Sequence, residues 1–257
     1  MSCLMKQQLP SIPKNELRIA MWSGPRNIST AMLRSWGNRA DTYPVDEPFY
    51  AFYLAKTGKS HPGSDEVLAH HESDLNKIFD QITGPIPDSL PISYQKHMAH
   101  HLLPEMGRDW FQFFRHVFLI RDPREMLLSL DQILDVITCE DTGLPQQLEI
   151  FDYVTKHQGQ KPPVLDARDT LNHPREILGQ VCAWLGLSFD EAMLSWPAGR
   201  RETDGAWAKY WYHSVEQSTE FQAYRPNLKE LPARLNEIYE QCLPLYNKLY
   251  AQRIRVS

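Results

Sequence analysis

Cysteine is scarce and scattered. The 257 residues contain four (Cys3, Cys139, Cys182 and Cys242), with no C-x-x-C pair. That spacing excludes a disulfide framework and a finger-type zinc site, and it fits a reducing compartment. Long apolar runs are also missing. No stretch approaches the ~20 residues needed to span a bilayer, and residues 1–16 hold Lys6 and two prolines but no apolar core of a signal peptide. No membrane span is expected, and a cytoplasmic location is. Lysine and arginine (27) are outnumbered by aspartate and glutamate (32), for a net charge of −5. A nucleic-acid partner, which wants a basic face, is therefore not expected. The pattern G-x-x-x-x-G-K-[ST] does not occur, because Gly24 is followed five residues later by Ser29. That argues against an ordinary ATPase or GTPase.

A hydrophobic share of 42% and a charged share of 23% are those of an ordinary globular protein. Residues 1–257 are read as a single α/β domain. Apolar runs predict strands over 17–23, 92–97, 117–120 and 162–166, with a short strand leading into a loop over 42–50. Helical periodicity covers 29–36, 65–81, 102–114 (with Gly107 an interruption) and 173–185. A further helix should open at Pro123, and a closing one should run over 232–253, interrupted near Pro244. Residues 56–63 and 83–91 read as connections, and 204–218 are aromatic-rich without a clear period. Strands alternating with helices imply a central, mostly parallel sheet covered on both faces, with ligands at the strands' carboxyl ends.

Two loops at such ends carry anion chemistry. In the first, S-G-P-R-N-I-S-T (23–30) lies between a strand and a helix. A helix start offers free N–H groups and the positive end of the dipole. Arg26 adds a charge, and Ser29 and Thr30 add hydroxyls; the plainer alternative is that these hydroxyls only cap the helix. In the second, Arg121 ends the strand over 117–120, and Ser129 lies eight residues on, about two helical turns away. Both could reach one anion, unless Arg121 is spent on a neighbouring carboxylate and Ser129 on its own helix.

The pair of loops resembles the sulfotransferases that use 3′-phosphoadenosine-5′-phosphosulfate. That family's first loop reads P-K-S-G-T-[ST]; here it is Pro25-Arg26-Asn27-Ile28-Ser29-Thr30, with Arg26 in place of lysine and Ile28 in place of glycine. The family's second motif, Arg-x-Pro with a serine eight residues after the arginine, is matched by Arg121-Asp122-Pro123 and Ser129. Residues 167–187 are similar to a third stretch. The bacterial sulfotransferase-like group with a W-S-G-P-R-N-x-S-T loop, sometimes labelled branched-chain-aminotransferase-like, is the nearest resemblance, although no lysine stands in a recognisable pyridoxal-phosphate setting. The resemblance implies a three-layer, P-loop NTPase-like fold and transfer of a sulfuryl group to a hydroxyl or amine of a small acceptor. The implied donor site is Gly24, Pro25, Arg26, Asn27, Ser29, Thr30, Arg121 and Ser129. Arg200 and Arg201 stand where the family's late R-K-G segment falls, without matching it cleanly; the resemblance adds them to the donor site as contacts to the 3′-phosphate, and a solvated loop is their plainer alternative.

Two bases compete. Glu47, in Asp46-Glu47-Pro48, sits in the E-P context of a glutamate base, and burial would raise its pKa. Gln95-Lys96-His97 resembles the K-T-H of cytosolic members with one residue missing. His97 could be the base and Lys96 could neutralise the leaving oxygen, but alternation along a strand keeps them from facing the same site. His97, His100 and His101 could share one face as metal ligands; with nothing completing the set, no metal is expected. The aromatic stretch 206–213 reads as a lid or as core. Two rivals remain. One is a kinase-like phosphotransferase with Asp46 or Asp166 on magnesium; the other is a nucleotide-binding protein without turnover.

Overall fold

The structure, a computed structural model, describes residues 16–159 and 161–256. Its elements run β1 (Leu17–Ser23), α1 (Ser29–Gly37), β2 (Thr42–Asp46), α2 (Tyr50–Thr57), α3 (Ser64–His70), α4 (Leu75–Thr83), β3 (Ile92–Met98) and β4 (Arg115–Ile120). They continue with α5 (Pro123–Leu130), α6 (Leu144–Gln158), β5 (Val164–Asp166), α7 (Ala167–Asn172), α8 (Pro174–Leu185), α9 (Ala208–Trp211), α10 (His213–Glu216) and α11 (Asn236–Tyr250). The five strands form one sheet in the order β2-β3-β1-β4-β5, and every pairing is parallel. This is the expected α/β architecture of a parallel sheet flanked by helices.

β1 is apolar throughout because both of its faces are covered. Ile19 and Met21 pack with Leu33 and Trp36 of α1 and with Val181 of α8. Ala20 and Trp22 point the other way, into a layer built with Ile150 and Val154 of α6 and Leu249 of α11. Trp22 anchors that layer: its ring stacks on His97 and its indole N–H donates to His116 Nδ1 (3.0 Å). Outside β5, Ile254 N donates to Val164 O (2.8 Å) and Arg253 bridges the same residue in parallel.

Several elements differ from the sequence expectation. The helix over 65–81 is two helices: α3 stops at His70, where His71 turns to extended backbone, and Asp74 then caps α4 by accepting from Asn76 N and Lys77 N. Residues 102–114 form two short 3-10 turns separated by Gly107, whose φ is +60°. The closing helix starts at Asn236 and runs through Pro244 without a break. The segment after Phe49 is helical, as α2, rather than loop. Among the described residues, no helix is long and apolar enough to cross a membrane.

Candidate active site

The first loop leaves β1 at Ser23 and enters α1 at Ser29. Gly24 is demanded by packing: a Cβ there would stand 2.2 Å from the carbonyl oxygen of Thr142, so the turn at 139–143 lies directly against the loop. Arg26 takes a left-handed backbone (φ 53°), while Ile28 is at φ −85°, ψ 21°. The tight bend thus falls on residue 26, and no glycine is needed at 28. Ile28 occupies the N-cap of α1 and has no side-chain acceptor, so the first turn's N–H groups are free for a ligand. Asn27 is spent on structure: its amide donates to Leu119 O (3.0 Å) and its oxygen accepts from Ile28 N (2.8 Å).

The second loop closes on the first. Arg26 Nε donates to Ser129 Oγ (2.9 Å), and Arg121 Nη1 donates to the Arg26 carbonyl (2.5 Å). Glu125 also pairs with Arg121, at 3.2 Å. Burial, and then the neighbouring Arg121, lower the pKa of Arg26. Two guanidiniums held this close favour an anion between them.

Arg26, Asn27 and Arg121 line a cavity of about 660 Å³, whereas Ser129 and Glu125 stand behind them and do not line it. Pro25, Arg26, Asn27, Ser29, Thr30 and Arg121 form one wall; Glu47, Tyr50, Lys96, His100, His101, Trp207, Trp211 and Tyr212 form the other. The second wall is held by a buried polar network at the ends of β2 and β3. Lys96 Nζ donates to Asp46 Oδ1 (3.0 Å), to Glu47 Oε1 (2.6 Å) and to the Tyr212 hydroxyl. Tyr212 OH donates to Asp46 Oδ2 (2.7 Å) and accepts from Trp207 Nε1 (3.0 Å). Glu47, at φ 40°, has its pKa raised by burial and partly drawn back by Lys96. Lys96, desolvated but set between two carboxylates, has its pKa raised.

β3 alternates as its geometry requires: Lys96 faces the cavity, and His97 faces the opposite layer. There His97 stacks on Trp22 (4.7 Å between ring centroids) and packs near Phe49 and Trp110, and neither ring nitrogen has a partner. Burial lowers its pKa to about 3. The same happens to His100, whose pKa also falls to about 3, and to His101. Among the described residues, no cluster of histidine, cysteine or acidic residues is placed to hold a metal.

Arg200 and Arg201 lie away from the cavity. Arg200 pairs loosely with Glu216 (3.8 Å), and Arg201 donates to the carbonyls of Pro197, Gly199 and Arg200. Arg225, on the extended segment that also brings Phe221 and Gln222 to the cavity, is a lining cation that sequence reasoning missed. Tyr212 was missed as an individual residue, although it lies in the aromatic stretch 206–213. That stretch serves both as core, through buried Trp207 and Tyr212, and as cavity wall.

The model of the sulfotransferase domain matches residues 17–253, nearly the whole described chain. The chain belongs to the sulfotransferase family. Among solved structures, the chain is similar to the sulfotransferase domain of the curacin biosynthetic pathway (TM-score 0.56, 14% identity, covering 90% of this chain and 98% of that one). It is also similar to a sulfotransferase from Alicyclobacillus acidocaldarius (TM-score 0.53, 14% identity, covering 92% and 96%). At such identities the likeness establishes the fold. Two Arabidopsis thaliana proteins, named branched-chain-amino-acid aminotransferase-like proteins 2 and 1, are 33% and 34% identical over 232 residues. The match covers 90% of this chain but 41% of each of theirs, so the chain spans about two fifths of those relatives.

Proposed function

We propose that this sulfotransferase moves the sulfuryl group of 3′-phosphoadenosine-5′-phosphosulfate to a hydroxyl or amine of a small acceptor, with Glu47 as the base. The observation that carries the reading is the convergence of Arg26, Arg121 and Ser129 at the uncapped start of α1, across one cavity from the Glu47–Lys96 pair. The donor presents two phosphate-bearing ends, and the two loops present two sets of donors. The first loop would grip the 5′-phosphosulfate, and Arg121 with Ser129 would hold the 3′-phosphate.

The acceptor oxygen or nitrogen attacks sulfur, its proton passes to the Glu47 carboxylate, and the bond from sulfur to the bridging phosphate oxygen breaks. Charge gathering on that oxygen is met by Arg26 and the α1 N–H groups. Lys96, fixed by Asp46 and Tyr212, holds Glu47 toward the cavity. His97 faces the other layer and is not part of this proposal. Arg200 and Arg201, bonded elsewhere, are left out as well.

A magnesium-dependent phosphotransferase is the weaker reading. Asp46 is taken by Lys96 and Tyr212, and Asp166 by Tyr246 OH (2.9 Å) and by the N–H groups that open α7. Thermal-shift titration separates the two. 3′-Phosphoadenosine 5′-phosphate should raise Tm by several degrees when well above its Kd, and ATP with magnesium should not. Stabilisation by ATP with magnesium alone sinks the sulfotransferase donor. In Arg121→Ala, the preference for 3′-phosphorylated over unphosphorylated adenosine 5′-phosphate should disappear; an unchanged ratio refutes the role given to the second loop.

A further inference from the structure

Cys139 and Cys242 are far apart in sequence yet meet beneath the first loop. Their sulfurs lie 3.2 Å apart, and both thiols are buried and free. Cys242 belongs to α11, and Cys139 opens the turn at 139–143. That turn already binds the pair: Thr142 Oγ1 lies 3.7 Å from Cys242 Sγ and donates to Cys139 O (2.5 Å). A disulfide needs an S–S distance near 2.05 Å and Cβ atoms within about 4.5 Å. Sulfurs already at 3.2 Å ask for a closing movement of little more than an ångström.

We propose that Cys139 and Cys242 form a redox-active dithiol that a two-electron oxidant, a peroxide, closes to a disulfide, pinning the turn that supports the first loop to α11. Both S–H bonds are lost and one S–S bond forms. The two electrons cleave the peroxide O–O bond, and with the two thiol protons the products are two waters. The consequence reaches the site because Thr142 O abuts Gly24 with no room to spare, and because Asp141 of the same turn lines the cavity and pairs with Lys59. Cys182 makes an internal control. It is also buried, but its sulfur neighbour is Met193 Sδ at 3.8 Å, so among the described residues it has no thiol to close on.

The full chain, reduced and then treated with stoichiometric hydrogen peroxide, is differentially alkylated and peptide-mapped. The expected result is a linked 139–242 peptide, with Cys182 still alkylated as a thiol. The oxidised protein should melt at least about 4 °C higher, amide exchange over 138–147 should slow, and dithiothreitol should reverse both. Cys139→Ser and Cys242→Ala, each checked for native circular dichroism, should lose the oxidant-dependent rise in Tm; either variant that folds is sufficient. Two free thiols at 139 and 242 after oxidation, or a linked peptide with unchanged Tm and exchange, overturns the proposal. Neither readout uses a nucleotide, so the test is independent of the donor assignment.

Discussion

Glu47 stands at the meeting of two demands. It is buried, which favours its protonated form, and it accepts a 2.6 Å hydrogen bond from Lys96, which favours the carboxylate. Its pKa is raised because desolvation outweighs Lys96. The protonated form is therefore favoured, and the stability it brings, complete below the ordinary carboxylate pKa, is lost as pH rises through its folded value. Catalysis needs the opposite form. The rate should rise with pH through a value above the ordinary carboxylate range, and Glu47→Gln should remove that acid limb while lowering kcat by about 10²–10⁴-fold. A pH–rate profile of both proteins checks this; an acid limb that survives the substitution moves the base elsewhere. The sequence already showed that Lys96 and His97 could not share a face, since alternation in a strand is local. Which of them faced the cavity depended on Trp22, Phe49 and Trp110 gathering around His97 from distant positions, and no local pattern records that.

At the scale of elements, the first loop depends on a turn more than a hundred residues away. Gly24→Ala places a methyl group on Thr142 O, so the turn must retreat. A loss of about 1–3 kcal/mol is expected for such overpacking, with weaker nucleotide binding, measured by urea denaturation and titration. A variant as stable as the parent would show that the contact yields freely. The strand ends and the two loops that leave them were legible because apolar runs such as 17–23 and 117–120 and the Arg121–Ser129 spacing are local signals. α2 was not: Tyr50, Ala51, Phe52, Tyr53 and Leu54 are all buried, which erases the polar face that marks a helix. α6 escaped for the reverse reason. One of its buried positions is Gln147, whose amide is needed to satisfy Trp22 O and Leu119 O, each at 3.0 Å. In 102–114 the apolar residues serve the aromatic layer, and Pro104 and Gly107 keep the chain from winding into a helix.

Across the whole molecule, buried neutral histidines set the response to acid. His97 and His100 have pKa values pushed down to about 3 and His116 to about 4, all mainly by burial. Each is depressed in the folded state, so the stability it confers is present above the ordinary histidine pKa and is lost as pH falls toward the folded value. Unfolding free energy should therefore decline below about pH 6.5, by up to about 1.4 kcal/mol per pH unit for each such histidine. His97→Phe, which keeps the ring contacts, should flatten the decline between pH 6.5 and 4.5 in urea titrations; an unchanged slope would place the acid sensitivity elsewhere. One feature of the sheet bears on assembly. β2 carries Pro44 at its midpoint, and the outer side of three-residue β5 is already bonded by Ile254. Among the described residues, neither rim presents a long run of unpaired donors and acceptors to template a strand from another chain. Pairing of another chain onto these strand edges is therefore disfavoured.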